Sequence, residues 1–118
     1  YNVLFDSLLI LSDYFVMKDK TVYDVGCSTG KLISTLDNKY KDLGCKFIGL
    51  DKSLNLLPNH DKERVQFVCA DLNKRFPFQD ACLVFSIFTL QLLSREGRDN
   101  RVFEVYNGSN KDGAYIGT

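Results

Sequence analysis

The sequence predicts a doubly wound α/β sheet, and three observations predict it. Short runs rich in β-branched and aromatic residues recur along the chain. Segments with helical apolar spacing separate them, and successive runs end at a glycine turn or an acid. Such alternation implies parallel strands with crossover helices, here in the order 3-2-1-4-5 and mainly parallel.

Leu4, Leu8, Leu11 and Phe15 recur at helical spacing, with Phe5, Leu9 and Val16 beside them, which predicts a helix from Val3 to Val16 with one broad apolar face. Thr21 to Val25 reads as a short buried strand ending at a glycine turn. Leu32 or Ile33, Leu36 and Tyr40 restore helical spacing, and Gly44 is expected to close that helix. Lys46 to Leu50 is a second strand, ending at Asp51. A short helix at Ser53 to Leu57 breaks at Pro58 and gives way to a polar loop, Asn59 to Arg64. Val65 to Cys69 is a third strand, ending near Asp71. After a loop at Phe76-Pro77-Phe78, Ala81 to Ile87 is the longest apolar strand. Val102 to Tyr106 lies on a helix starting near Ser94, and Ala114 to Gly117 is a fifth strand after a turn at Lys111-Asp112-Gly113.

With 118 residues, 45% hydrophobic and 25% charged, the chain can bury one core, so residues 1–118 are expected to form a single domain. Fifteen basic and fifteen acidic residues cancel to a net charge of zero. That removes the long-range field that accompanies phosphate-backbone binding, and no nucleic-acid signal is written here. Cys27, Cys45, Cys69 and Cys82 form no C-x-x-C pair and have no adjoining His, so neither a zinc site nor any other metal site is expected. Three of the four sit in or beside apolar runs and read as buried thiols. The absence of a disulfide framework points to the cytoplasm. No apolar run is long enough to span a membrane. The chain opens at Tyr1 inside a helical pattern and stops at Thr118 within a strand, the expectation for a partial domain whose last strands are missing. Its unpaired sheet edge invites a homodimer.

In an open α/β sheet the ligand lies at the carboxyl ends of the strands, where strand order reverses. Those ends carry Asp24-Val25-Gly26-Cys27-Ser28-Thr29-Gly30, then Asp51, then Asp71. Gly26 and Gly30 let the backbone turn tightly and approach a ligand. Asp51 follows at the distance at which Rossmann-like folds place an acid on a ribose diol, and Asp71 is placed to accept from an adenine amine, with Leu72 or Leu50 against the ring. The P-loop spacing fails, because only three residues separate Gly26 from Gly30 and Leu32 follows Lys31. The dinucleotide fingerprint fails at Ser28 and Lys31. A phosphate-free adenosyl ligand fits.

These residues resemble class I S-adenosylmethionine-dependent methyltransferases, whose first three motifs look like DVGCSTG, GLDKS and CADL. A closer resemblance is to carboxy-S-adenosylmethionine synthases, which act in wobble-uridine modification of tRNA. It rests on VYD-x-GCS-x-G, CK-x-I-x-x-D-x-S and the FTLQ-x-L segment at Phe88 to Leu93. The resemblance implies S-adenosyl-L-methionine or carboxy-S-adenosyl-L-methionine as cofactor and prephenate as small-molecule substrate. It implies cofactor contacts at Tyr1, Asp24, Gly26, Cys27, Ser28, Gly30, Asp51, Lys52, Asp71, Leu72 and position 87. That family carries Asn where this chain has Ile87, and an L-N-P-G-G turn where it has Ser109 to Gly113. The family's arginine for the extra carboxylate would lie beyond Thr118.

The resemblance makes carboxylation of the cofactor's methyl group the leading expectation. Ordinary methyl transfer to another acceptor and a non-catalytic binding module are the alternatives. For either chemistry the protein mainly supplies proximity, and no catalytic residue is compelled. His60, the only histidine, sits in a polar loop and reads as a solvated side chain.

Overall fold

Buried strands organise this chain, and the helices pack on the sheet they form. The computed structural model describes residues 2–27, 29–52, 64–71, 78–86, 96 and 109–117. Along the chain they form α1 (Asn2–Ser12), β1 (Thr21–Val25), α2 (Lys31–Lys39), β2 (Lys46–Asp51), β3 (Val65–Cys69), β4 (Ala81–Ser86) and β5 (Ser109–Gly117). The five strands make one sheet in the order β3-β2-β1-β4-β5, with every neighbouring pair parallel. This is the predicted doubly wound order, and it reverses direction between β1 and β4.

Side-chain alternation sorts the core into two layers. Val22, Phe47, Val65, Leu83 and Phe85 face α1 and α2, meeting Leu8, Leu32, Ile33 and Leu36. Tyr23, Val25, Leu50 and Val84 face the other way, with Phe78 closing on them. The Phe78 ring stands edge-on to Tyr23, centroids 4.8 Å apart. β1 and β4 are buried at every residue, as central parallel strands covered on both faces must be.

Five expectations need correction. The first helix ends at Ser12 rather than Val16. Continuing it would require the Asp13 N–H to donate to the Leu9 carbonyl, but that oxygen already accepts from the Ser12 hydroxyl at 2.5 Å and the Lys39 ammonium at 2.7 Å. Asp13, Tyr14 and Phe15 instead donate one residue closer, to Ile10, Leu11 and Ser12. Leu11 is 41% exposed, so the buried stripe runs through Leu4, Phe5, Leu8 and Leu9 without it. Gly44 does not close α2. The helix stops at Tyr40, whose N–H donates to Leu36, and Gly44 takes φ 70° in the turn that enters β2.

The turn expected at Lys111-Asp112-Gly113 lies inside β5. Ala81 pairs with Ser109 while Leu83 pairs with Ala114, so residues 110–113 stand opposite Cys82 alone and form a local irregularity. β2 runs one residue further than predicted, to Asp51, and β4 is described to Ser86. The predicted short helix at 53–57 and the loop at 59–63 lie outside the described residues, as does the helix expected before β5 apart from Glu96, which is helical.

One ion pair ties the entrance of β3 to α2. The Asp37 carboxylate, only 5% exposed, sits 3.1 Å from the Arg64 guanidinium at the entrance to β3, and Arg64 also donates to the Lys41 carbonyl. The pair is held by charge rather than by an aligned hydrogen bond. Because Arg64 keeps contact with water, removing its partner should cost less than breaking a fully buried pair. Asp37→Ala is expected to lower stability by about 1–3 kcal/mol in urea unfolding, whereas Lys20→Ala, which breaks the exposed pair with Asp80, should change it by less than about 0.5 kcal/mol.

Candidate functional site

The glycine turn is fixed by its own backbone. The N–H groups of Gly26 and Cys27 both donate to the Leu50 carbonyl, at 2.7 and 2.9 Å, and the Gly30 N–H donates to the Cys27 carbonyl at 2.9 Å. Gly26 and Gly30 adopt φ 79° and 80°, a region open to glycine at little cost. Gly30 then caps α2 without any side-chain hydrogen bond. Because these three donors are spent inside the fold, they do not form an anion-binding nest. Lys31 stands 5.0 Å above the Phe5 ring instead of lining the turn. The donor set therefore suits a neutral or cationic ligand better than a phosphate.

Beside the turn, two carboxylates end adjacent strands. Asp24 on β1 pairs in register with Gly49 on β2, and Asp51 lies two residues further on, facing the same side of the sheet. They are 6% and 8% exposed. Cys27 lies over Gly49, within electrostatic reach of both. A Cβ on Gly49 would come within 2.8 Å of the Cys27 sulfur and 3.0 Å of the Phe67 ring, so the glycine leaves the space that the thiol fills. Sequence reasoning passed over Gly49. An isolated glycine inside a strand pattern, as in KFIGL, is the signal that could have found it.

This geometry sets the electrostatics. Burial, reinforced by the neighbouring Asp51, raises the Asp24 pKa to about 7. Burial, then Asp24 and Asp51, pushes the Cys27 thiol up to about 12, so it stays protonated and is a poor nucleophile. The site is thus acidic and partly protonated near neutrality, a property the sequence pattern alone did not carry.

Asp24, Gly26, Cys27, Gly30, Asp51 and Lys52 come together at the carboxyl edge, Lys52 exposed next to Asp51. Asp71 lies two residues beyond the end of β3, exposed, on the same edge. Tyr1, Ser28, Leu72 and Ile87 lie outside the described residues. Among the described residues there is no cluster of potential metal ligands and no helix long and apolar enough to cross a membrane. A cavity of 350 Å³ opens at the opposite edge, between Tyr23, Lys46, Arg64 and Gln79. It lies at the amino ends of the strands, away from the turn, and is not the site described here. Cys27, Cys45 and Cys82 are buried as expected, while Cys69 is exposed, and all four are free thiols.

A glycine turn at the reversal of strand order, with carboxylates ending β1 and β2, defines a Rossmann-like nucleoside-binding domain. The sequence profile described as "Methyltransferase domain" matches residues 22–113, and the chain belongs to that family, whose class is the S-adenosylmethionine-dependent transferases. Among similar proteins is the carboxy-S-adenosyl-L-methionine synthase of Staphylococcus epidermidis, 32% identical over 98% of this chain and 52% of the relative. The synthase of the same name from Shewanella putrefaciens is 27% identical over 98% of this chain and 51% of the relative. The chain thus spans about half the length of these relatives. Among solved structures, PKMT2 from Rickettsia typhi in complex with AdoHcy shares the fold, with a TM-score of 0.68 at 13% identity over 86% of this chain and 21% of that one.

The Asp24 shift has a definite sign. An acid whose folded pKa is raised destabilises the fold increasingly as pH climbs from its unfolded value through its folded one. Between pH 5 and pH 8 the ligand-free chain should lose about 2–3 kcal/mol of stability through this group, and Asp24→Asn should remove that loss. Urea unfolding of both forms at the two pH values measures the difference.

Proposed function

We propose that this chain is the cofactor-binding part of a carboxy-S-adenosylmethionine synthase, holding S-adenosylmethionine across the carboxyl edge of β1, β2 and β3. The observation that carries this reading is the 32% identity over 98% of the chain to a protein of that name, joined to a turn and acid set suited to a phosphate-free adenosyl ligand. Asp51 accepts two hydrogen bonds from the ribose diol, with Lys52 beside it. Asp71 and Leu72 take the adenine end. Gly26, Cys27, Ser28 and Gly30 shape the floor under the sulfonium, where Asp24 supplies negative charge, and Tyr1 contributes a further ligand contact.

When bound, the cofactor supplies an activated sulfonium methyl group, and the chain's own residues bind, orient and shield it. The finer reading is carboxylation of that methyl group at the expense of prephenate, in the service of tRNA uridine modification in the cytoplasm. A second reading, ordinary methyl transfer to another acceptor from the same cofactor pocket, is favoured by the family profile, which is described only as a methyltransferase domain. Ile87 stands where the synthases carry a cofactor-contacting Asn and cannot hydrogen-bond through its side chain, a departure that motivates a catalytically silent binding module.

Mass spectrometry of ligand retained by the purified protein separates the two. Carboxy-S-adenosylmethionine supports the synthase, and S-adenosylmethionine or its demethylated product supports the methyltransferase. Asp51→Ala should weaken S-adenosylhomocysteine binding tenfold or more by calorimetry, on the order of 1.5–3 kcal/mol for the lost charged acceptor. Unchanged affinity would remove Asp51 from the ribose site.

A further inference from the structure

The crevice at the reversal of strand order has a second wall, on β4, to which no role has yet been given. The turn after β1 swings toward β2, where Gly26 and Cys27 donate to the Leu50 carbonyl, and so leans away from β4. Phe85 of β4 pairs in register with Asp24, which puts Ser86 one residue beyond it, at the root of the turn and the carboxyl end of the strand. Ser86 is 0% exposed, and its hydroxyl has no hydrogen-bond partner among the described residues. Buried side-chain hydroxyls are mostly bonded, because the water lost on burial has to be replaced. One left open at the edge where this class of sheet binds ligands is free to bond a ligand instead.

Side-chain alternation fixes the face. Ser86 follows Val84 by two residues and shares its side of the sheet, the side of Tyr23, Val25, Leu50 and Phe78, where the packed layer carries no charge. Asp24 and Asp51 face the other side, with Val22 and Phe47. A second hydroxyl turns to the same end as Ser86. Gly117 pairs in register with Ser86, and a Cβ on Gly117 would come within 3.0 Å of the Tyr115 ring and hydroxyl, so the glycine lets that side chain lie toward the strand end. The Tyr115 hydroxyl is buried there. The edge is thus sorted by charge, with acids on one face and neutral hydroxyls on the other.

A sulfonium ligand of the adenosyl class carries a positive sulfur and, on an arm attached to it, a carboxylate. Asp24 attracts the first and repels the second, so the carboxylate is favoured on the face without acids. With ribose at β2 and sulfur over β1, the next strand end along the edge is that of β4, about 4.8 Å on. We propose that the Ser86 hydroxyl donates a hydrogen bond to a carboxylate borne on the sulfur side of the cofactor, with Tyr115 flanking it on β5. This rests on the cofactor assignment above and adds to it a binding residue on β4. Two carboxylates have this chemistry. One belongs to the amino-acid tail, and the other, in carboxy-S-adenosylmethionine, to the carboxymethyl group.

Calorimetric titration of the chain and of Ser86→Ala with S-adenosylhomocysteine, carboxy-S-adenosylmethionine and the tailless 5′-methylthioadenosine tests this. Removing a hydroxyl that the fold does not use should leave the urea unfolding midpoint unchanged or raise it. Affinity for a ligand that carries the carboxylate should fall about tenfold, while affinity for 5′-methylthioadenosine holds. A loss shared by S-adenosylhomocysteine and carboxy-S-adenosylmethionine supports the contact at the tail, and a loss confined to carboxy-S-adenosylmethionine supports it at the carboxymethyl group. The proposal is overturned if the three affinities change equally or not at all. A lower unfolding midpoint would return the hydroxyl to a structural role and overturn it as well. Asp51→Ala should weaken all three ligands, so a chain that responds to that change and not to Ser86→Ala keeps its cofactor site and loses the β4 contact. Should the unaltered chain bind none of the three, both readings fall together.

Discussion

The carbonyl oxygen of Leu50 receives two N–H groups from the glycine turn, and the arrangement of the edge depends on that junction. Strand pairing alone would align β1 with β2 and leave the turn beyond Val25 free to take several courses. With Gly26 and Cys27 both anchored to the end of β2, the chain must swing over Gly49, and the thiol is driven into the space the glycine leaves. Asp24 and Asp51, both buried, thereby lie close enough to the thiol to act on it electrostatically. Their burial follows from where the backbone bonds of this junction hold the two strand ends.

The same junction explains why the turn is unsuited to phosphate. Glycine-rich loops that cradle phosphates keep their N–H groups pointing outward to the ligand. Here the corresponding groups point inward, and the side chains at the edge are acidic. One glycine turn can thus serve opposite ligand charges according to where its amide hydrogens are spent.

Much of the architecture was legible in the sequence because buried parallel strands write themselves as apolar runs. β1 and β3 have the predicted bounds, and the strand order follows from the alternation of elements. What failed were features decided by a partner from elsewhere in the chain. The end of α1 depends on Lys39 reaching the Leu9 carbonyl, and the exposure of Leu11 depends on how that helix is rolled onto the sheet. The irregularity in β5 carries genuine turn residues, which pairing with β4 absorbs into a strand. At the site, the sequence placed the acids at the strand ends but not the thiol over Gly49. Only the fold brings Cys27 onto Gly49.

The four cysteines, finally, divide by chemistry as well as by burial. Those in the core, Cys27, Cys45 and Cys82, have their thiols pushed up by burial and are shielded from reagents. Cys69 is the exposed member, ending β3 two residues before Asp71, with its sulfur near the Lys52 carbonyl. A thiol-directed fluorophore would therefore attach at one place without mutagenesis, next to the end of the pocket assigned to adenine. The fold thus carries a built-in labelling point from which occupancy of that edge can be read optically.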